Sequence, residues 1–472
     1  MTSSPSLLSR LPRPRPGGRT DWPKLPGGAQ ALALSELARE LSAPLVVVAA
    51  RPMDAQRLLD ELRWFAPALR SFQLPDWETL PYDQFSPHAD LVSERLETLY
   101  ALMRGELDVL VVPASTALYR LAPREYLAAH TFFVKQGSKL DVEGLRLQLT
   151  IAGYSAVTQV VAPGEYSVRG GLVDLYPTGS ALPYRIDLFD DEVESIRTFD
   201  VDTQRTVFPT QEIRLLPARE FPMDDKARAA FRSRFRETFE GDPSKSVIYK
   251  DVSNGVPSAG IEYYIPLFFE RTDTLFDYLP ANAVVALDYE VNDAIADFWR
   301  DTKSRFDLMK GERARPILPP PDLFLSEEQF HVSLANRPIV RLGRGDEVAA
   351  VTPLPDLAVE RKSDDPLFRL RALVAAQRVL VVAESAGRRE TLTDYFTEYG
   401  LANAACDSFD AALASEARLL IATGPLAEGF ALTSPPVALV TESELYPTQA
   451  RARSKRDGRK VTAENFLRDL TE

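Results

Sequence analysis

Hydrophobic residues along this chain follow first one period and then another. Leu32, Leu34, Leu37 and Ala38 recur at helical spacing, and the uninterrupted apolar run Leu45-Val46-Val47-Val48-Ala49-Ala50 follows them. An unbroken run of that length reads as a strand buried on both faces of a parallel sheet. A helix over about 54–65 and a second run, Val109-Leu110-Val111-Val112, repeat the unit. The alternation predicts a doubly wound α/β domain.

Between about 140 and 217 the period drops to two. A helix over 142–152 ends at Gly153, a suitable C-cap. Strands are then expected over Glu165–Arg169, Leu172–Tyr176 and Tyr184–Phe189, punctuated by Pro163-Gly164, Gly170-Gly171 and Pro177-Thr178-Gly179-Ser180. In the last strand Tyr184, Ile186 and Leu188 point one way, and Arg185, Asp187 and Phe189 the other. The first set predicts a core face. The second puts an aromatic ring beside an arginine on the wet side of a small sheet, a combination typical of interface anchors. An ordinary Arg–Asp pair with a half-buried Phe gives the same pattern.

A charged helix over 224–239, the aromatic segment 260–269 and an apolar strand over 283–288 come next. The α/β rhythm then returns, with strands over 378–383, 418–422 and 437–440. These shifts divide the chain into a flexible Pro- and Arg-rich tail (1–26), an α/β stretch (27–139), a strand-rich domain (140–217), a third stretch (218–342), a linker (343–365), a small α/β domain (366–446) and a basic linker (447–472).

Composition narrows the classes. At 472 residues the chain is long enough for roughly three units. Its net charge of -13 argues against a free-standing nucleic-acid binder, which needs a basic face, so any DNA contact must be local or supplied by a partner. Arg451-Ala452-Arg453-Ser454-Lys455-Arg456 is the main basic run and reads as a solvated linker. Cys406 stands alone and builds neither a disulfide framework nor a thiolate metal site, which fits a reducing cytoplasm. His88, His130 and His331 lack the paired spacing of zinc ligands. No apolar run approaches the roughly 20 residues of a membrane span, and no secretory signal opens the chain; the expectation is a soluble cytoplasmic protein.

Two places invite a search for chemistry. A nucleotide-binding loop needs Lys followed by Ser or Thr after its glycines, to reach phosphate and hold Mg²⁺. In Lys24-Leu25-Pro26-Gly27-Gly28-Ala29-Gln30-Ala31, Gln30 and Ala31 stand at those positions, so no cofactor is expected at Gly27 and Gly28 and ATP hydrolysis there is disfavoured. Gly424-Pro425-Leu426-Ala427-Glu428-Gly429 lacks the same pair. The acidic run Asp190-Asp191-Glu192-Val193-Glu194 could be imagined as a Mg²⁺ cluster. It reads better as a hairpin turn without supporting ligands.

The segment Leu74-Pro75-Asp76-Trp77-Glu78-Thr79-Leu80-Pro81-Tyr82-Asp83-Gln84-Phe85-Ser86-Pro87-His88 resembles a signature of the bacterial transcription-repair coupling factors. Trp77, Tyr82 and Phe85 within it are expected to pack. The resemblance implies a degenerate RecA-like, UvrB-like α/β domain completed by 218–342, with an inserted strand-rich α+β domain and a small α/β domain after it. UvrB carries a Tyr-rich hairpin near this signature; little room for one remains here. The resemblance further implies an adaptor that recruits UvrA, with RNA polymerase and DNA as partners of the longer protein. The family's UvrA-contacting Arg, Arg and Phe match Arg169, Arg185 and Phe189. Catalytic and metal residues are expected to be absent, the alternatives being a DNA-binding or a degenerate helicase-like module.

Overall fold

The computed structural model describes residues 6–360 and 362–446. Among them, three six-stranded sheets carry an α/β architecture. The first orders Arg19–Asp21, Ile339–Arg341, Val284–Leu287, Leu45–Ala49, Val109–Pro113 and Ser71–Gln73, each pair parallel. Leu45–Ala49 and Val109–Pro113 are buried at every residue, as an unbroken apolar run requires when helices cover both faces. Val284–Leu287 pairs directly with Leu45–Ala49, so two distant stretches of sequence share one sheet.

The second sheet is antiparallel except at its short edge Ser155–Ala156, and runs Thr206–Thr210, Glu192–Phe199, Tyr184–Phe189, Leu172–Tyr176, Glu165–Arg169, Ser155–Ala156. Val173, Leu175, Ile186, Val193 and Ile196 form its core with Leu145 and Leu149 of the helix Val142–Ile151. Arg95, fully buried, donates to the buried Glu220 carboxylate at 2.5 Å and to the Pro75 carbonyl at 2.7 Å, while Trp77 Nε1 donates to Glu220 at 3.1 Å. This pair lies where the chain leaves the second sheet's unit. Removing either partner would strand a buried charge.

The third sheet has Arg378–Ala383, Leu419–Thr423, Ala404–Ala405 and Pro436–Thr441 in parallel, with Phe430–Thr433 and Val351–Thr352 antiparallel at one edge. No helix among the described residues is long and apolar enough to cross a membrane.

Two expectations need correction. Residues 6–26 do not form a free tail: Arg19–Asp21 joins the first sheet, Leu7, Leu8, Leu11 and Trp22 are buried, and Trp22 Nε1 donates to the Pro12 carbonyl at 2.9 Å. Prolines bar a ladder of their own here, yet the apolar side chains between them find a wall on the helix Ala29–Glu40. Within 343–365, Val351–Thr352 pairs with Phe430–Thr433 and Leu357 is buried, so part of the expected linker belongs to the third sheet's core. The basic run 451–456 lies outside the described residues.

Candidate protein-binding face

The Tyr184–Phe189 strand keeps the alternation its sequence predicts. Ile186 is fully buried and Tyr184 and Leu188 pack on the same core, while Arg185, Asp187 and Phe189 occupy the opposite face. Across that face the register aligns Ser167, Asp174, Arg185 and Arg197 in one row and Arg169, Leu172, Asp187 and Ser195 in the next.

Asp174 organises the face and was missed by sequence reasoning. Its side chain is 1% exposed. Oδ1 accepts Arg185 Nε at 2.7 Å, and Oδ2 accepts Arg185 Nη2 at 2.9 Å and Arg169 Nη2 at 2.6 Å. Arg185 also donates through Nη1 to the Gln204 carbonyl at 3.1 Å and lies over the buried Phe199 ring, 4.9 Å from its centroid. Its side chain is 17% exposed against 54% for Arg169. Donating to the Asp174 carboxylate raises the Arg185 pKa above its ordinary value. Both expected arginines are therefore brought together on one carboxylate, but unequally: Arg185 is built into the sheet and Arg169 reaches out of it. Asp187 is matched separately, accepting Ser195 Oγ at 2.7 Å and Arg197 Nη2 at 2.6 Å.

Phe189 is 74% exposed rather than half-buried. Its place is fixed by a tight turn at Asp190, whose φ is +58°, and by Gly171, where an added Cβ would stand 3.0 Å from the Leu188 carbonyl oxygen. The turn is tied down by Lys139 Nζ, 2.8 Å from Asp191 Oδ2, which holds the Asp191 carboxyl below its usual range. Among the described residues no three His, Cys, Asp or Glu side chains meet as metal ligands. Of the signature aromatics, Trp77 and Tyr82 are buried as expected, but Phe85 is 74% exposed.

The other suggestive place, the start of the helix Ala29–Glu40, is filled by the chain itself. Gly28 N donates to the Glu428 carbonyl at 3.0 Å, so an amide that could meet a phosphate meets a carbonyl from the loop 424–429. The approach is close: a Cβ at Gly27 would lie 2.5 Å from the carbonyl oxygens of Glu428 and Gly429. Ala427 N donates to Glu61 Oε1 at 3.2 Å and Trp64 Nε1 to the Thr423 carbonyl at 3.0 Å, fixing that loop on the first sheet's helix Pro52–Phe65. Burial pushes the Glu61 carboxyl up, against the pull of Arg57.

Comparison with known proteins bears on both places. Residues 132–221 match the UvrB interaction domain, and residues 374–445 match the MFD D3 domain. The transcription-repair-coupling factor of Escherichia coli (strain K12) is 39% identical over 459 residues, covering 95% of this chain and 40% of that protein. The chain resembles the transcription-repair-coupling factors over nearly its whole length. The factor of Haemophilus influenzae is likewise 39% identical over 463 residues, with 94% and 40% covered, and that of Bacillus subtilis is 26% identical over 483 residues, with 95% and 40%. The chain thus spans 40% of the length of these coupling factors. Arg169, Arg185, Asp174 and Phe189 all fall inside the stretch matched by the UvrB interaction domain.

Proposed function

We propose that this chain is the adaptor region of a transcription-repair coupling factor, that the polar face of its second sheet binds UvrA through Arg169, Arg185 and Phe189, and that the region performs no catalysis. The observation that carries the reading is Phe189: a large ring left 74% exposed at the end of a rigid strand, beside paired guanidiniums, within the stretch resembling the UvrB interaction domain. A monomer gains nothing by displaying such a ring on a fixed backbone, whereas a partner meets an anchor already in place. The absence of catalysis is supported by Gln30 and Ala31 at the positions of the phosphate cation and the metal ligand, and by the loop 424–429 on Gly27 and Gly28.

The proposed domains are 27–139 with 218–342 and the added strand Arg19–Asp21, 140–217, and 366–446 with the added strand Val351–Thr352, acting in the cytoplasm. RNA polymerase and DNA are the further partners proposed for the longer protein. The test is direct binding of purified UvrA to this chain. Binding by the parent that is weakened at least tenfold in Phe189→Ala is the expected result; equal binding by the two removes the assignment. Tight, salt-sensitive binding of duplex DNA by the isolated chain would favour a DNA-binding module instead.

A further inference from the structure

We infer that Asp174 is the positioning residue of this face and that Arg169 is the guanidinium it presents to a carboxylate of the protein partner. The inference rests on the binding reading above and assigns the two arginines different tasks.

The argument begins with donors. A guanidinium has five N–H groups in a fixed fork. Arg185 spends donors at Nε, Nη1 and Nη2 inside the chain, on Asp174 and the Gln204 carbonyl, and its plane is covered on one side by Phe199. Arg169 spends one, through Nη2 on Asp174, and more than half of its side chain meets solvent. Two guanidiniums share one carboxylate, so the cluster holds one positive charge in excess; Arg197 and Asp187 beside it are matched one to one. The excess charge and the unspent donors coincide on Arg169. A fork with free donors and a net charge is suited to a carboxylate, which it can take in two parallel hydrogen bonds.

Asp174 makes that fork usable. An exposed arginine is rotamerically free and must be ordered when a partner arrives. The 2.6 Å bond to a carboxylate itself clamped by Arg185 holds one edge of Arg169 in place beforehand. Asp174 is nearly inaccessible, so its contribution to binding passes through the two arginines it holds, of which Arg169 is the exposed one.

The test measures UvrA affinity and thermal melting for the parent, Asp174→Asn, Asp174→Glu, Arg169→Ala, Phe189→Ala and the double variant Asp174→Asn with Arg169→Ala. Asp174→Asn keeps the shape of the side chain but gives up the charge and one acceptor; Asp174→Glu keeps the charge, shifts the carboxylate by one methylene, and serves if the Asn variant does not fold. Either change is expected to weaken binding about tenfold, with no further loss when Arg169 is also truncated, because contacting residues couple in such cycles. A purely structural Asp174 would move melting temperature and leave the losses additive. Added salt should weaken the parent more than Arg169→Ala, since the lost contact is ionic. Parent-like binding by a folded Asp174 variant, or additive losses, overturns the inference while Phe189→Ala still weakens binding. If Phe189→Ala binds like the parent, the binding reading fails and this inference with it.

Discussion

Two places in this chain look like sites, and they are finished in opposite ways. At the start of the helix Ala29–Glu40, a glycine pair and a free backbone amide form a cradle of the kind that takes phosphate, yet the chain's own loop 424–429 enters it and a carbonyl takes the amide. On the second sheet, an internal carboxylate also meets internal cations, but the matching is incomplete: Arg169 keeps unspent donors and Phe189 keeps its ring in solvent. Hydrogen-bonding capacity is seldom left unsatisfied inside a fold. A place where the chain stops short of satisfying itself, on rigid backbone, points outward more reliably than a place that only has the shape of a motif.

The comparison is sharpest where it can be broken by the largest effect. Ile186→Ala on the buried side of the Tyr184–Phe189 strand should cost about 2–5 kcal/mol, because a fully buried β-branched side chain leaves a cavity. Denaturant unfolding measures this. A cost under about 1 kcal/mol would mean that the two faces of the strand are not divided as described, and the outward face would lose its meaning. The next effect tests the closed place: Gly27→Val puts a Cβ against the carbonyl oxygens of Glu428 and Gly429, at a φ of +51°. Overpacking costs about 1–3 kcal/mol and left-handed backbone about 1–2 kcal/mol. The variant should be destabilised by roughly 2–5 kcal/mol, with faster hydrogen exchange at the amides of 424–429. Unchanged exchange there would show that the loop does not sit on the glycines.

A smaller pair of effects separates Arg185 from Phe189. Arg185→Ala leaves Asp174 with Arg169 as its remaining cation in a site nearly closed to water, so a cost of about 1–3 kcal/mol is expected. Phe189→Ala removes an exposed ring and should stay within about 0.5 kcal/mol of the parent. Melting curves decide between them. Equal stabilities would mean that Arg185 is a surface residue like Phe189, and the unequal tasks assigned to the two arginines would fall.

How much of this was legible in the sequence depends on how local the signal is. The runs Leu45–Ala49 and Val109–Pro113 and the alternation in Tyr184–Phe189 are fixed by neighbours in sequence, and the structure keeps them. Asp174 was passed over because a single acid between Val173 and Leu175 reads as one more strand residue. The available clue was that a lone carboxylate in a buried strand must have a cation, and Arg185 lies on the adjoining strand. The pairing of Arg19–Asp21 with Ile339–Arg341 and the entry of 424–429 onto Gly27 were not legible, since each depends on surfaces brought together from hundreds of residues away. Proline counts report what a segment cannot do alone; they do not report what it can lean on.

The smallest expected effect is none at all. ATP with Mg²⁺ should leave the melting temperature of the parent unchanged, whereas a ligand bound at 100 times its Kd would add about 2.7 kcal/mol and move the transition by several degrees. Two separate reasons converge on this outcome: Gln30 and Ala31 supply neither the cation nor the metal ligand, and Glu428 already occupies the Gly28 amide. Gly27→Val tells them apart. If the loop alone excluded nucleotide, displacing it would let ATP stabilise the variant. If the missing Lys and hydroxyl decide the matter, the variant should be as indifferent to ATP as the parent. We expect indifference in both, because in the cleft beside the emptied cradle the cations Lys24 and Arg57 are outnumbered by Asp54, Asp288, Glu290, Glu347 and Glu428. A nucleotide-dependent rise in the parent's melting temperature would reverse the comparison, making the apparently closed place a working site.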